Sequence, residues 1–201
     1  NLDTEIKDEW FPISLGYTSG TTGKPKGVVT HHRGAYLNAI SNQLIWYMKK
    51  HPVYLWTLPM FHCNGWCFPW TIAALAGTNI CLRKINTKKI LKLIKKHNVS
   101  NLCGTTVIIN MFIEANVKID HTVDFMTGAA PPPVSVLKKI EEMNFKITHT
   151  YGLTEVYGPA VVCEWQKEWD KIKNKSKIAE LKSRQGVKSY GIKDLQVINQ
   201  K

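Results

Sequence analysis

The sequence predicts an α/β fold, a layered and largely parallel sheet flanked by helices. Three observations lead there. Short runs rich in β-branched and aromatic residues alternate with segments whose apolar residues recur at helical spacing, and alternation at such short intervals builds strand–helix–strand units. The 201 residues are 44% hydrophobic and 21% charged, which suits a buried core and not a disordered chain. No stretch approaches the roughly 18 uninterrupted apolar residues of a membrane-spanning helix, so a soluble protein is expected.

The elements follow in order. Ile13 to Tyr17 reads as a strand, a loop of Gly, Thr and Lys follows, and Gly27 to Thr30 is a second extended piece. Arg33 to Met48 has helical character. Pro52 to Leu58 is rich in β-formers and stops at Pro59. Gly65 to Ala76, apolar on nearly every side, is expected to be a buried helix, and Thr78 to Leu82 a strand. Thr87 to His97 is the clearest helix: Ile90, Leu91, Leu93 and Ile94 form the apolar stripe, and five lysines fill the other face. Val99 to Cys103 is a strand, Val107 to Ala115 a helix, and Val123 to Thr127 a strand. Gly128-Ala-Ala-Pro-Pro-Pro133 leads into a helix from Val134 to Met143, entered through prolines. Phe145 to Thr150 is a further strand. Beyond Glu164 the chain turns Trp- and Lys-rich and helical, ending in short strand-like pieces. In parallel sheets ligands gather at the carboxyl ends of strands, and the loops after Tyr17 and Thr150 are expected at such ends.

The formal charge of +12 suggests nucleic acid as a partner. Its distribution argues otherwise. Arg83 to His97 carries +7 without an acidic residue, Gln166 to Lys201 carries +6, and the remainder is close to neutral. Both stretches have the pattern of solvated helix faces, so nucleic acid is not the expected partner. Cys63, Cys67, Cys81, Cys103 and Cys163 are odd in number and contain no Cys-x-x-Cys pair, which disfavours a disulfide framework and a structural zinc site. Reduced thiols of an intracellular compartment are the simpler expectation.

Thr18-Ser-Gly-Thr-Thr-Gly-Lys-Pro-Lys-Gly27 carries the most chemical information. Gly20, Gly23 and Gly27 let backbone N–H groups close around an anion. Thr18, Ser19, Thr21 and Thr22 add hydroxyl donors, and Lys24 and Lys26 add charge. A Walker A loop is excluded, because Pro25 follows Lys24 where that motif has Ser or Thr running into a helix.

Tyr17 to Gly27 resembles the phosphate-loop signature of the adenylate-forming superfamily, which includes acyl-CoA synthetases, peptide-synthetase adenylation domains and firefly luciferase. The resemblance continues in order. Leu58-Pro-Met-Phe-His-Cys-Asn-Gly-Trp66 is similar to the segment lining the acyl pocket, Thr127 to Pro133 to the adenine loop, and Tyr151-Gly-Leu-Thr-Glu155 to the adenylate and magnesium motif. Pro52 to Trp56, His62 to Cys67 and Trp165 to Asp170 look closest to plant acyl-activating enzymes of the peroxisomal butyrate- or benzoate-CoA ligase type. The details depart at Gly104-Thr-Thr106, where the family usually has Gly-Ala-Pro.

The resemblance implies ATP-dependent activation of a small carboxylic acid through an acyl-adenylate, then thioester formation with coenzyme A. ATP, Mg²⁺ and coenzyme A are the implied cofactor and co-substrates, and peroxisome or cytoplasm the implied location. It assigns the β- and γ-phosphates to residues 18–26 (Thr18, Ser19, Gly20, Thr21, Thr22, Gly23, Lys24 and Lys26). It assigns Mg²⁺ to Glu155, the adenylate phosphate to Thr154, adenine stacking to Tyr151 beside Gly152, and the base edge to Gly128, Ala129 and Ala130. His62 would stand beside the carboxylate. From residue type alone, Gly128-Ala-Ala-Pro131 serves equally as a tight helix entry, and Trp66, Phe68 and Trp70 are pocket wall or plain core. The implied organisation is a partial AMP-binding large domain over 1–165 and a basic helical continuation over 166–201. The family's C-terminal domain, with the lysine needed for adenylation, is absent from this stretch. A 201-residue piece of this kind is expected to keep the ATP and Mg²⁺ motifs with little turnover; the alternative is an inactive nucleotide-binding or interaction module. A sheet cut short would also expose apolar faces.

Overall fold

Two antiparallel strands form a hairpin that stands outside a seven-stranded sheet. The computed structural model describes residues 5–18 and 23–199. In the hairpin, β1 (Pro12–Tyr17) pairs with β2 (Gly27–His31), Leu15 opposite Val29 and Tyr17 opposite Gly27. Next come α1 (His32–Ile45), β3 (Val53–Leu55), a short turn α2 (Cys63–Trp66), α3 (Phe68–Ala74), β4 (Thr78–Ile80) and α4 (Thr87–His97). The second half runs β5 (Asn101–Gly104), α5 (Thr106–Ala115), β6 (Val123–Thr127), α6 (Val134–Glu142) and β7 (Phe145–Leu153). It ends with a 3₁₀ turn (Thr154–Val156), β8 (Gly158–Val162), a second 3₁₀ turn (Lys167–Lys171), α7 (Lys175–Lys182) and β9 (Val187–Lys188).

The sheet order is β4-β3-β5-β6-β7-β8-β9; the first five strands are parallel, and β8 and β9 join antiparallel. Side chains alternate across it, so each strand feeds two cores. Leu55, Leu102, Phe125 and Phe145 face α4, α5 and α6, with a trio of Phe112, Phe125 and Phe145 at the centre. Tyr54, Cys103 and Met126 face the other layer, where Trp46, Trp66, Phe68 and Ile72 pack. A parallel sheet covered on both faces is the expected α/β arrangement.

α4 has the bounds its periodicity predicts. Asn86 caps it by accepting from the Lys89 N–H at 2.9 Å, Asn98 ends it at φ 48°, and its five lysines are exposed. Among the described residues, no helix is long and apolar enough to cross a membrane.

The structure corrects four expectations. The loop after Tyr17 does not leave a strand of the parallel sheet. It closes a hairpin, because a connection this short returns the chain antiparallel, whereas a parallel partner needs a crossover of a dozen or more residues. β3 stops at Leu55, not at Leu58, since Thr57 turns its hydroxyl to the Cys103 carbonyl at 2.6 Å. The helix expected over 65–76 begins only at Phe68. Pro69 sits in its first turn, where the missing N–H does no harm; one turn further in, its ring would strike a carbonyl. β8 is an addition. Its pairing carries β7 on through Tyr151 to Leu153, so that stretch is strand where a loop was expected.

The basic stretch from residue 166 is integrated with the rest. Ala179 of α7 is in the core, Lys182 pairs with Glu141 of α6, and Arg184 lies over Trp169 at 4.3 Å. On the hairpin's outer face Leu15, Tyr17 and Val29 are exposed apolar residues.

Candidate functional site

Residues 63–67 form a left-handed turn. Cys63, Asn64, Gly65, Trp66 and Cys67 have φ of 44°, 48°, 62°, 54° and 67°, and bonds such as Gly65 N–H to the His62 carbonyl (2.9 Å) close it. Only Gly65 adopts this backbone without cost, and Asn64 tolerates it. Gly65 has a second reason to be glycine, since a methyl there would stand 2.8 Å from Trp56 Cζ3.

Four segments meet around this turn. The Cys63 thiol lies 3.3 Å from the Thr154 hydroxyl. The Asn64 amide donates to the Ser14 hydroxyl at 3.0 Å, on the inner face of the hairpin, where Ser14 also bonds Thr30. Trp66 lies over Gly128, and the buried Cys67 thiol donates to the Ala35 carbonyl of α1 at 3.3 Å. A cavity of about 130 Å³ remains between the hairpin (Ser14, Gly16, Thr30) and Cys63, Asn64 and Thr154. A larger one of about 520 Å³, mostly apolar, opens where β3 and β4 end, between Trp56 to Phe61 and Cys81 to Ile85. Phe61 lines both.

The 128–130 loop reaches the same place because Thr127 ends β6 opposite His149 of β7. Gly128 is buried; Ala129 and Ala130 are exposed, Ala129 at φ 73°. His149, 1% exposed, has Nε2 at 3.0 Å from the Ala129 carbonyl and Nδ1 at 3.3 Å from the Arg184 carbonyl. Sequence reasoning passed over His149 as a strand residue. It also missed Tyr157, whose hydroxyl accepts from the Trp70 indole N–H at 2.7 Å and whose carbonyl accepts from Asn38. A histidine in register with the buried Phe145 and Ile147 of an alternating strand was the available signal for the first; the second had none.

Gly152 sits at an irregularity in the β7–β8 register, and any side chain there would overlap the Gly158 carbonyl. Tyr151 is 37% exposed, Thr154 is half-buried, and Glu155 is exposed on the 3₁₀ turn. Thr18 closes the hairpin neck: its N–H donates to the Lys26 carbonyl at 3.0 Å and its hydroxyl accepts the Lys26 N–H at 3.1 Å. Gly23, Lys24 and Lys26 are exposed beyond it. Ser19, Gly20, Thr21 and Thr22 lie outside the described residues. His62 is exposed and lines neither cavity; its neighbours Phe61 and Cys63 do.

Burial raises the Cys63 thiol pKa, the Thr154 hydroxyl partly offsets this, and the nearby Glu155 charge adds to the rise. Burial also pushes Cys67 up to about 12 and holds Cys103 well above the ordinary thiol value. These are protonated, unreactive thiols at neutral pH. Among the described residues, no three His, Cys, Asp or Glu side chains are grouped to hold a metal. A Mg²⁺ ion that arrives on phosphates needs only one or two carboxylates, and the exposed Glu155 beside the Thr154 hydroxyl fits that donor set.

Residues 2–181 match the family model described as AMP-binding enzyme. The chain belongs to that family. It is 51% identical over 197 residues to the peroxisomal acetate/butyrate–CoA ligase of Arabidopsis thaliana, a match covering 96% of this chain and 34% of that enzyme. To the peroxisomal benzoate–CoA ligase of the same plant it is 46% identical over 199 residues, covering 96% and 34%. Its fold is similar to Bacillus subtilis o-succinylbenzoate CoA synthetase solved with ATP and magnesium ion, at a TM-score of 0.73 and 25% identity, covering 82% of this chain and 35% of that one. The chain thus spans about a third of the length of the curated relatives it matches.

Proposed function

We propose that the full-length protein joins a small carboxylic acid to the α-phosphate of ATP, releasing pyrophosphate, and then passes the acyl group to coenzyme A. It is on this reading an acid–thiol ligase, with the 1–165 stretch as part of its AMP-binding large domain and 166–201 as a continuation of it. The lysine that drives adenylation is then supplied by a separate C-terminal domain. The observation that carries the reading is the convergence of three chain segments, the hairpin at Ser14, the start of the 128–130 loop at Gly128, and Thr154, around the left-handed turn.

Negative charge accumulates on phosphoryl oxygens in this reaction, so fixed cations and donors are the main catalytic device. Lys24, Lys26 and the 18–23 backbone hold the β- and γ-phosphates, and the Thr154 hydroxyl, steadied by Cys63, meets the adenylate phosphate. Tyr151 stacks on adenine beside Gly152, with Gly128, Ala129 and Ala130 along the base edge. Glu155 holds Mg²⁺, which neutralises phosphate charge when bound. His62, exposed next to Phe61, meets the carboxylate end of the acid. The names of the relatives favour a short-chain or aromatic acid and a peroxisomal location.

The test is acid-dependent pyrophosphate release by the full-length protein, with acetate, butyrate and benzoate offered in turn. Lys26→Ala should raise KM for ATP, and Glu155→Gln should raise the Mg²⁺ requirement. Wild-type protein that releases no pyrophosphate with any acid, while still binding Mg-ATP by calorimetry, would favour the nucleotide-binding module instead.

A further inference from the structure

Trp66 touches Gly128, in one of the segments that the proposed function assigns to the nucleotide, and Gly158, just beyond the other. It lies in the left-handed turn at φ 54° and is 8% exposed. Its carbonyl accepts the buried Asn42 side-chain N–H at 2.8 Å, which ties the turn to α1. The six-membered ring of its indole covers Gly128, where a methyl would stand 2.6 Å from Cη2 and 2.9 Å from Cζ2. Its backbone lies against Gly158, where a methyl would stand 3.2 Å from the Trp66 Cα. Gly128 opens the loop after β6, and Gly158 opens β8 three residues after Glu155.

Gly128 is therefore small because of this tryptophan, while Gly158, thirty positions on, abuts its main chain and also adopts φ 109°, a backbone that itself favours glycine. Left-handed backbone is disfavoured for a bulky L-residue. The left-handed conformation puts the ring on Gly128 and the main chain against Gly158.

We infer that Trp66 is a positioning residue: it sets the spacing between the 128–130 loop and the 151–158 segment, and so the fit of an adenine nucleotide between them. The inference rests on the ATP-dependent reading above. Misplacement of the loops that clasp the adenine end, away from the reacting phosphate, is felt mainly as lost affinity for the nucleotide, even where the moved residue touches no reacting atom.

The experiment uses full-length protein in three variants: Trp66→Phe, which withdraws the ring edge; Gly128→Ala, which intrudes on it; and the double variant. Each single variant is expected to raise KM for ATP about tenfold with kcat changed less than about twofold. The double variant recovers part of the loss, because the shorter ring vacates the space the methyl takes. Thermal midpoints are recorded alongside. A fall in midpoint with KM for ATP unchanged makes Trp66 mere packing and overturns the inference, as do strictly additive losses in the double variant. Gly128→Ala keeps the tryptophan and probes the same contact should Trp66→Phe fail to fold. If the wild type releases no pyrophosphate, the functional reading fails on its own. The coupling is then read as the thermal shift produced by Mg-ATP, where equal shifts in all four proteins overturn the inference.

Discussion

Gly65→Ala tests the left-handed turn directly. The new methyl would stand 2.8 Å from Trp56 Cζ3, 3.0 Å from Cη2 and 3.3 Å from Pro69 Cδ, so the nearest approach falls about 0.6 Å short of ordinary contact. Trp56 has little room to yield: it is 4% exposed, its indole N–H donates to Asn79 at 2.8 Å, and it meets Tyr54 edge-on at 4.8 Å. Alanine at φ 62° adds a backbone penalty of roughly 1–2 kcal/mol. Overpacking against a fixed aromatic adds roughly 1–3 kcal/mol. Together these put the loss of stability at about 2–5 kcal/mol. The assay is guanidinium unfolding of the full-length protein, with Gly23→Ala as control. Gly23 has open space around it and no left-handed φ, so its variant should change stability by less than about 0.5 kcal/mol. A loss below about 1 kcal/mol for Gly65→Ala would refute the reasoning, since neither the backbone term nor the Trp56 contact would then exist as described.

Two further outcomes follow from the titratable groups. Cys81 is exposed, Cys67 and Cys103 are buried with raised pKa values, and Cys63 and Cys163 are shielded. Among these five thiols, mass spectrometry after brief alkylation at pH 8 should therefore find Cys81 labelled fast, with Cys67 and Cys103 labelled only on unfolding; labelling of Cys67 or Cys103 as fast as Cys81 would contradict the burial. The Tyr47 hydroxyl donates to Glu164 at 2.8 Å, and this bond is the main cause that raises its pKa above 10.0. A raised folded-state value means stabilisation that is whole below pH 10.0 and lost as pH climbs through the folded value, so Tyr47→Phe should flatten the stability decline on the alkaline side.

The layered fold was legible because it rests on periodicity. α4 and β6 carry repeating apolar patterns, and their bounds agree with the structure. β8 was not legible: Gly158-Pro-Ala-Val-Val162 opens with two residues that weaken any strand signal, and its antiparallel place beside β7 is decided by the neighbouring strand. The turn at 63–67 left one local trace, the Asn64-Gly65 pair, followed by Pro69. Nothing in the chain around Cys63, Trp66 or Cys67 announces left-handed backbone, because the forces that hold it come from Asn42, Ser14, Ala35 and the glycines at 128 and 158. Likewise His149 reads as one residue of an alternating strand until the carbonyls of Ala129 and Arg184 are placed beside its two ring nitrogens.

Motif residues and residues bonded across the chain leave different traces in a sequence. Of the motif residues described, Lys24, Lys26, His62, Ala129, Ala130, Tyr151 and Glu155 are exposed, Thr18, Gly152 and Thr154 are half-buried, and Gly128 is buried. Cys63, Asn64 and His149, to which sequence reasoning gave no role in the site, are buried or half-buried and bonded to distant segments. Ligand chemistry constrains residue type at fixed local spacing, so it leaves a motif. Spacing between loops is fixed by contacts between segments up to about a hundred residues apart, such as Cys63 with Thr154, and leaves none. Left-handed residues at roughly 1–2 kcal/mol each would not persist in an isolated peptide. They persist here because the turn's Trp66 is packed in one buried cluster with Tyr54 of β3 and with Phe68 and Ile72 of α3. The parallel sheet therefore does more than carry loops at its edge. Its rigidity keeps a strained turn in place, and that turn, more than any motif, brings the hairpin and the two loops to one point.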